Sequence, residues 1–224
     1  MNSYIVKILK KEFITHNVIR LLVEKPKNYK FISGQATEIV IDLDSWREEK
    51  RPFTFCSLAD QEYLEFIIKS YPERRSVTNK LRELEKGDRL IIGKPSGTIE
   101  YKDKGFFIAG GAGITPFIAI LKQLRKDCKL KGNSLIFSNK TERDIILKSE
   151  LDSMINEGLE VIYTLTREKN PEYKYGKIDE KFLREYVDDF SQHFYVCGPI
   201  RFVGEIQSIL QKLGTDVEKI VLES

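Results

Sequence analysis

The rhythm of apolar residues changes once along this chain, at "EYKDKG" around residues 100–105, and two different architectures follow from it. Before that point the runs are short. "YIVKILKKEF", "NVIRLLVEKP", "GQATEIVIDL", "RPFTFCSL", "YLEFIIKSY" and "DRLIIGKPSG" alternate or are rich in β-branched and aromatic residues, with turn residues between them. Strands at this spacing predict an antiparallel barrel or sandwich. One segment departs: "SVTNKLRELEKGD" has helical spacing at Val77, Leu81 and Leu84, a Ser or Thr cap, and Gly87 as its stop. After Lys104, strands alternate with helices. "GFFIAGG" leads to "TPFIAILKQLRKD" and "NSLIFSN" to a helix over "RDIILKSELDSMINEG". "LEVIYTLT", a polar loop and "DEKFLREYVDDF" follow, then "HFYVCGP" with "IRFVGEIQSILQKLG", and finally "VEKIVLES". A run of β-α units predicts a parallel, doubly wound sheet. Two domains are expected: an antiparallel β-barrel over residues 1–101 and an α/β parallel-sheet domain over 102–224.

Charge and cysteine usage exclude several functions. With 37 basic and 34 acidic residues the net charge is only +3, which does not mark a nucleic-acid binder. Three scattered cysteines, Cys56, Cys128 and Cys197, form no C-x-x-C pair, so no disulfide framework, iron–sulfur cluster or zinc site is suggested. His16 and His193 are too few and too far apart to propose a metal site. The longest nearly uncharged run, Gly105 to Leu121, holds 17 residues with four glycines and a proline. A membrane span needs about 20 apolar residues. The N-terminus shows no signal-peptide core. A soluble, cytoplasmic monomer is the expectation.

The first strand of the second half runs into "IAGGAGITPF". This is neither G-x-G-x-x-G, since Pro116 occupies the third glycine's place, nor a P-loop, since no lysine follows. Glycines at such a turn let backbone approach a ligand, and a helix N-terminus attracts anions. Thr115 is expected to cap the helix and Pro116 to occupy its first position. By itself the segment is compatible with a nucleotide cradle or with a tight turn that holds nothing.

The stretch "RPFTF" at residues 51–55 adds a second signal. A barrel-like half carrying it, followed by the glycine turn, resembles the ferredoxin–NADP reductase superfamily, especially its flavodoxin-reductase-like members. That family holds a flavin with Arg-x-Tyr-Ser/Thr on a barrel strand, here Arg51-Pro52-Phe53-Thr54. The resemblance implies that Arg51 pairs with the FAD pyrophosphate, Phe53 packs on the isoalloxazine or ribityl chain, and Thr54 lies near flavin N5. Phe53 replaces the usual Tyr and removes one hydroxyl. The family's Gly-x-x-Ser/Thr turn corresponds to Arg75-Ser76-Val77-Thr78, with Arg75 in place of glycine. Lys69 and Tyr71, at the end of the preceding strand, are further candidates for cofactor binding; Tyr71 is a candidate for stacking on adenine, and a core tyrosine explains it equally well. "GGAGITP" is similar to the family's turn at the pyridine-nucleotide pyrophosphate, which implies contacts from Gly111, Gly113, Thr115 and Pro116. "YVCGP" is similar to its nicotinamide-side turn, which implies Cys197, Gly198 and Pro199 there, and Glu223 resembles its C-terminal acidic residue.

The resemblance implies hydride transfer from a nicotinamide to FAD around Thr54, Cys197 and Glu223, then electron delivery to an acceptor. Ser138, Lys140 and Arg167, with Lys177, are the candidates for a 2′-phosphate, so NADP is expected, with NAD as the other possibility. A flavodoxin or ferredoxin-like carrier is the expected partner, steered by Lys50 and Arg74. The alternatives are an NADH-dependent reductase of a haem protein or oxygenase component, a free-flavin or quinone reductase, and a non-enzymatic nucleotide-binding subunit of a larger complex.

Overall fold

The computed structural model describes residues 3–71, 76–97 and 99–222, and the chain divides into two compact units, Met1–Thr98 and Ile99–Ser224. Arg74, Arg75 and Glu223 lie outside the described residues. Among the described residues no helix is long and apolar enough to cross a membrane.

The first unit holds strands β1 (Tyr4–Thr15), β2 (Val18–Glu24), β3 (Ala36–Ile41), β4 (Lys50–Thr54), β5 (Tyr63–Lys69) and β6 (Arg89–Ile92), with helix α1 (Val77–Glu83) before β6. They form one sheet in the order β4-β3-β6-β1-β2-β5, antiparallel at every pairing. Its two edges meet just past β4, where Cys56 N donates to Glu65 O at 2.8 Å and Glu65 N donates to Ser57 Oγ at 3.1 Å. The sheet therefore curls back on itself, as the short alternating runs imply. Along β1, Val6 and Ile8 are buried while Ile5, Lys7 and Leu9 are exposed, the period of two that one buried face requires. Ile19, Leu21, Val23, Ile39, Ile41, Phe55 and Phe66 fill the interior, joined by Val77 and Leu81 from one face of α1. Each such side chain contributes roughly 1.5–3 kcal/mol by burial. The buried Glu65 carboxylate is paired with Arg20 Nε at 2.6 Å, so its charge is not stranded in the interior.

Ser76 caps α1, its side chain accepting from Asn79 N. The helix stops at Glu83, one turn before the expected Gly87. Leu84 turns extended and enters the core, and the Asp88 carboxylate takes the Glu85 N–H at 2.8 Å. Gly87, at φ +97°, serves the following turn into β6 instead.

The second unit contains β7 (Gly105–Gly110), α2 (Thr115–Lys126), β8 (Ser134–Asn139), α3 (Lys148–Ile155), β9 (Glu160–Leu165), β10 (Lys174–Tyr175), α4 (Glu180–Tyr186), β11 (His193–Cys197), α5 (Ile200–Lys212) and β12 (Ile220–Leu222). All strands are parallel in the order β10-β9-β8-β7-β11-β12. Phe106, Ile108, Ile136, Phe194 and Val196 bury one face against Phe182 and Leu183 of α4 and Ile206 and Leu210 of α5. On the opposite face Phe107 meets Phe117 of α2 and stacks on Tyr195. The chain moves outward through β8 and β9, then crosses to the far side of β7 with β11. Parallel sheets bind ligands where that order reverses, outside the carboxyl ends of the two strands.

Two expectations fail here. The segment read as one helix over residues 143–158 is a 3-10 turn (Glu142–Asp144) and a separate α3, with Leu147 at φ +53° between them. A capping box closes the first turn: Thr141 Oγ1 donates to Asp144 Oδ2 at 2.6 Å, and Thr141 N donates to the same oxygen. Ile145 and Ile146 then turn into the core and break the helical path. The polar loop after β9 also carries β10, too short to show any periodicity.

Tyr195 ties the start of this unit to its sheet. Its hydroxyl accepts from Lys102 N at 2.9 Å and Asp103 N at 3.0 Å, and donates to Asp103 O at 2.7 Å. Tyr195→Phe removes all three bonds and is expected to lower unfolding free energy by about 1–3 kcal/mol. An unchanged midpoint in chemical denaturation would refute this.

Candidate functional site

In the second unit the site starts at the end of β7. Gly111–Ile114 form a 3-10 turn that runs straight into α2. Thr115 therefore does not cap the helix. It is the first helical residue (φ −57°, ψ −44°), and its hydroxyl donates to Ala112 O at 3.0 Å. Pro116 is pushed to the second position, where its missing N–H is still harmless. The preceding turn already has helical geometry, so no side-chain cap is needed.

The glycines have separate purposes. Gly111 sits at φ +55°, a left-handed conformation, and a Cβ there would meet nothing within 4 Å. Gly113 is the reverse: a Cβ would lie 2.3 Å from the Cys197 carbonyl oxygen. Gly110 and Gly198 both lie against the Phe202 ring, at 3.1 and 2.7 Å from their missing Cβ positions. The turns after β7 and β11 are thus packed backbone to backbone at the point where the sheet order reverses. Gly111, Gly113, Thr115 and Pro116 come together with Cys197, Gly198 and Pro199. The Cys197 side chain is buried, and Ile200, just beyond Pro199, is 94% exposed.

The neighbouring edge is formed by the ends of β8 and β9. Ser138 pairs with Gly110, and Arg167 N donates to Lys140 O at 2.9 Å, so Ser138, Lys140 and Arg167 share one edge. Lys177 is exposed and acts electrostatically on Glu205 of α5. Sequence reasoning passed over two residues here. Asn139, 4% exposed, ends β8, and neither of its amide atoms has a hydrogen-bond partner among the described residues. Leaving such groups unbonded costs about 1–3 kcal/mol each. Glu142 takes two side-chain donors from the loop after β9. Its only visible signal was the T-x-x-D box around it.

In the first unit Arg51–Thr54 lie on β4 and Lys69 on β5, two strands that approach one another, while Ser76–Thr78 open α1. β4 is an edge strand, which is why Pro52 is tolerated. Arg51 stands opposite Ile39, Pro52 opposite Glu38, Phe53 opposite Thr37 and Thr54 opposite Ala36. The Arg51 guanidinium is exposed, 3.3 Å from Glu49, a contact that water screens strongly. Lys50 is exposed and paired with Glu38 at 3.0 Å. Phe53 is half-buried against the barrel core, and Thr54 is buried. Lys69 ends β5, and Tyr71 is 46% exposed, so it is not a core tyrosine. Ser76 and Thr78 bond through their hydroxyls at 3.1 Å, while the Val77 side chain is in the core and leaves only its backbone for a ligand.

An exposed arginine fork and a half-buried ring on β4, with an exposed tyrosine just past β5, fit a flavin nucleotide. A glycine turn at the sheet's reversal point, with open space over Gly111, fits a pyridine nucleotide. Residues 5–101 match the family described as oxidoreductase FAD-binding domain, and residues 107–208 match the oxidoreductase NAD-binding domain. The chain is 30% identical over 230 residues to NADH-cytochrome b5 reductase 1 of Eremothecium gossypii, covering 95% of this chain and 79% of that protein. The chain belongs to the ferredoxin–NADP reductase superfamily. Its fold is also that of the ferredoxin NADP+ reductase from Neisseria gonorrhoeae (TM-score 0.87, 19% identity, 98% of this chain and 97% of that one). The flavohemoglobin of Malassezia yamatoensis shares it at TM-score 0.87 and 23% identity, over 99% of this chain but only 60% of that protein. Like other members of the superfamily, this protein is an NAD(P)H-dependent flavin oxidoreductase that passes electrons through FAD to a partner protein.

The glycine geometry separates two substitutions. Gly111→Ala has room and bears only a left-handed strain of about 1–2 kcal/mol. Gly113→Ala must push the β7 and β11 turns apart and is expected to lower the thermal midpoint further and to abolish nucleotide binding. Equal effects of the two in thermal melts would contradict this account.

Proposed function

We propose that this chain is an NADH-dependent reductase that delivers electrons to a haem protein of the cytochrome b5 kind. The observation that carries this reading is the 30% identity to an NADH-cytochrome b5 reductase along 79% of that protein's length. The charge at the β8–β9 edge supports it. Glu142 and Glu168 stand there beside Lys140 and Arg167, with the Glu168 carboxylate held by Glu142 N at 2.9 Å. A 2′-phosphate would meet those two carboxylates together with the two cations.

FAD supplies the redox chemistry, and this chain's residues bind and orient. Arg51 holds the flavin pyrophosphate, with the backbone at Ser76, Val77 and Thr78 and with Arg75. Phe53 would support the ring system or ribityl chain, Thr54 would bond near the flavin's redox-active nitrogen, Tyr71 would stack on the adenine, and Lys69 would add a further cofactor contact. Gly111, Gly113, Thr115 and Pro116 receive the pyridine nucleotide's pyrophosphate and ribose. Cys197 offers small, polarisable packing at the nicotinamide, with Gly198 and Pro199 shaping the turn. Glu223 positions nicotinamide or supplies a proton.

One observation favours a second reading, an NADPH-dependent reductase of a ferredoxin or flavodoxin-like carrier. Lys140 and Arg167 are brought side by side by a backbone hydrogen bond, and paired cations suit a 2′-phosphate. Anaerobic reduction of the bound flavin, followed by turnover with cytochrome b5, ferredoxin or flavodoxin, distinguishes the two. The expected result is kcat/KM for NADH at least about ten-fold above NADPH, with cytochrome b5 reduced fastest. Arg167→Ala should then affect both nucleotides alike; selective loss of NADPH would establish the second reading. Separately, Arg51→Ala is expected to weaken FAD binding by about ten-fold or more, read as loss of flavin absorbance after gel filtration.

A further inference from the structure

The loop over residues 166–173, "TREKNPEY", is mostly polar, yet it is fastened along its length. Thr166 N and Arg167 N donate to the carbonyls of Asn139 and Lys140, each at 2.9 Å. The Glu168 carboxylate accepts the backbone N–H of Glu142 at 2.9 Å. Asn170 Nδ2 donates to one carboxylate oxygen of Glu142 at 3.2 Å, and the Tyr173 hydroxyl donates to the other at 2.7 Å. Both oxygens of a single carboxylate therefore go to this loop. Glu142 itself is fixed by the capping box of Thr141 and Asp144.

The far end of the loop is held by α3. Lys148 Nζ lies 5.8 Å from the Tyr173 ring centroid and 5.6 Å from that of Tyr163, and the two rings meet edge to face at 6.0 Å. Asp152 anchors the group, accepting from Lys148 Nζ at 2.7 Å and from the Tyr163 hydroxyl at 2.8 Å. Burial, with the neighbouring Glu142 carboxylate, pushes the Tyr173 hydroxyl up to about 12, so it stays a proton donor at neutral pH. None of Glu142, Glu168, Asn170 and Tyr173 is buried in the core. Their bonds order a surface loop beside Lys140 and Arg167. Ordering a loop at the moment of binding costs conformational entropy, and a loop ordered beforehand transfers that cost to folding.

We propose that Glu142, acting through Tyr173 and Asn170, is a positioning residue that holds loop 166–173 in its nucleotide-binding form before nucleotide arrives. The inference rests on reading the β8–β9 edge as the seat of the nucleotide's adenosine half. It assigns Glu142 to binding and not to the chemical step, so the nucleotide KM should respond and kcat should not.

The test uses the full FAD-loaded chain with AMP as the probe. AMP affinity is measured by calorimetry, and amide hydrogen exchange over residues 166–173 is followed without nucleotide. Glu142→Ala is expected to weaken AMP about ten-fold, raise the nucleotide KM in proportion, leave kcat unchanged and speed exchange in the loop. Glu142→Gln keeps an acceptor for Tyr173 and should restore most of the affinity. Tyr173→Phe keeps the ring against Lys148, removes only the hydroxyl, and stands in if Glu142→Ala fails to fold. AMP binding that is unchanged in Glu142→Ala or Tyr173→Phe overturns the proposal, and so does unchanged loop exchange; wild-type binding of AMP would still support the seat. Failure of the wild-type chain to bind AMP overturns the seat and the proposal with it.

Discussion

At the centre of the second unit two turns touch through bare backbone. The turn after β7 and the turn after β11 approach so closely that a Cβ on Gly113 would lie 2.3 Å from the Cys197 carbonyl oxygen. That approach is possible because the sheet reverses its order between these strands, leaving their carboxyl ends adjacent without a helix between them. Gly110 and Gly198 accept the Phe202 ring from α5, so the helix following one turn fills the space between both. The position of Cys197 and the entry of α2 both depend on this contact. The glycine spacing differs from the usual dinucleotide fingerprint because the close approach is to another turn of the same chain.

The first unit solves a different problem. An open six-stranded sheet leaves two edges with unpaired backbone groups, a liability in water. Here they are brought together by the bonds that Cys56 and Ser57 make with Glu65, next to Arg51–Thr54 of β4. An edge strand can carry Pro52 and still present Arg51 and Phe53, because its outer backbone groups are not needed for a ladder. The same local freedom that an edge gives to sequence is what makes it a place for a cofactor.

The β8–β9 edge shows how charge and order are combined. Bonds from Arg167 N to Lys140 O and from Glu142 N to the Glu168 carboxylate bring Lys140, Glu142, Arg167 and Glu168 to one edge. The edge therefore carries two basic and two acidic residues, and the loop beside it is held by Glu142 and by Lys148 of α3.

Much of this was legible in the amino-acid order. Period-two runs identified the barrel strands, β-α alternation identified the parallel sheet, and the glycine run marked a turn in which Gly111 takes a left-handed conformation and Gly113 a close backbone approach. Those signals are local, because strand alternation and turn conformation are set by neighbours along the chain. What the sequence left undecided depended on contacts between distant segments. The break at Leu147 came from Ile145 and Ile146 entering the core, and Leu84 ended α1 for the same reason. Thr115 lost its capping place to a 3-10 turn that no composition signal marks. Glu142 acquired its partners from a loop 28 and 31 residues away, a pairing that exists only once β8 and β9 lie side by side. Sequence alone determined the β-then-β/α layout, most of the strands and the glycine turns; tertiary structure decided where the helices break and which side chains meet, because only packing selects among the partners that a local pattern allows.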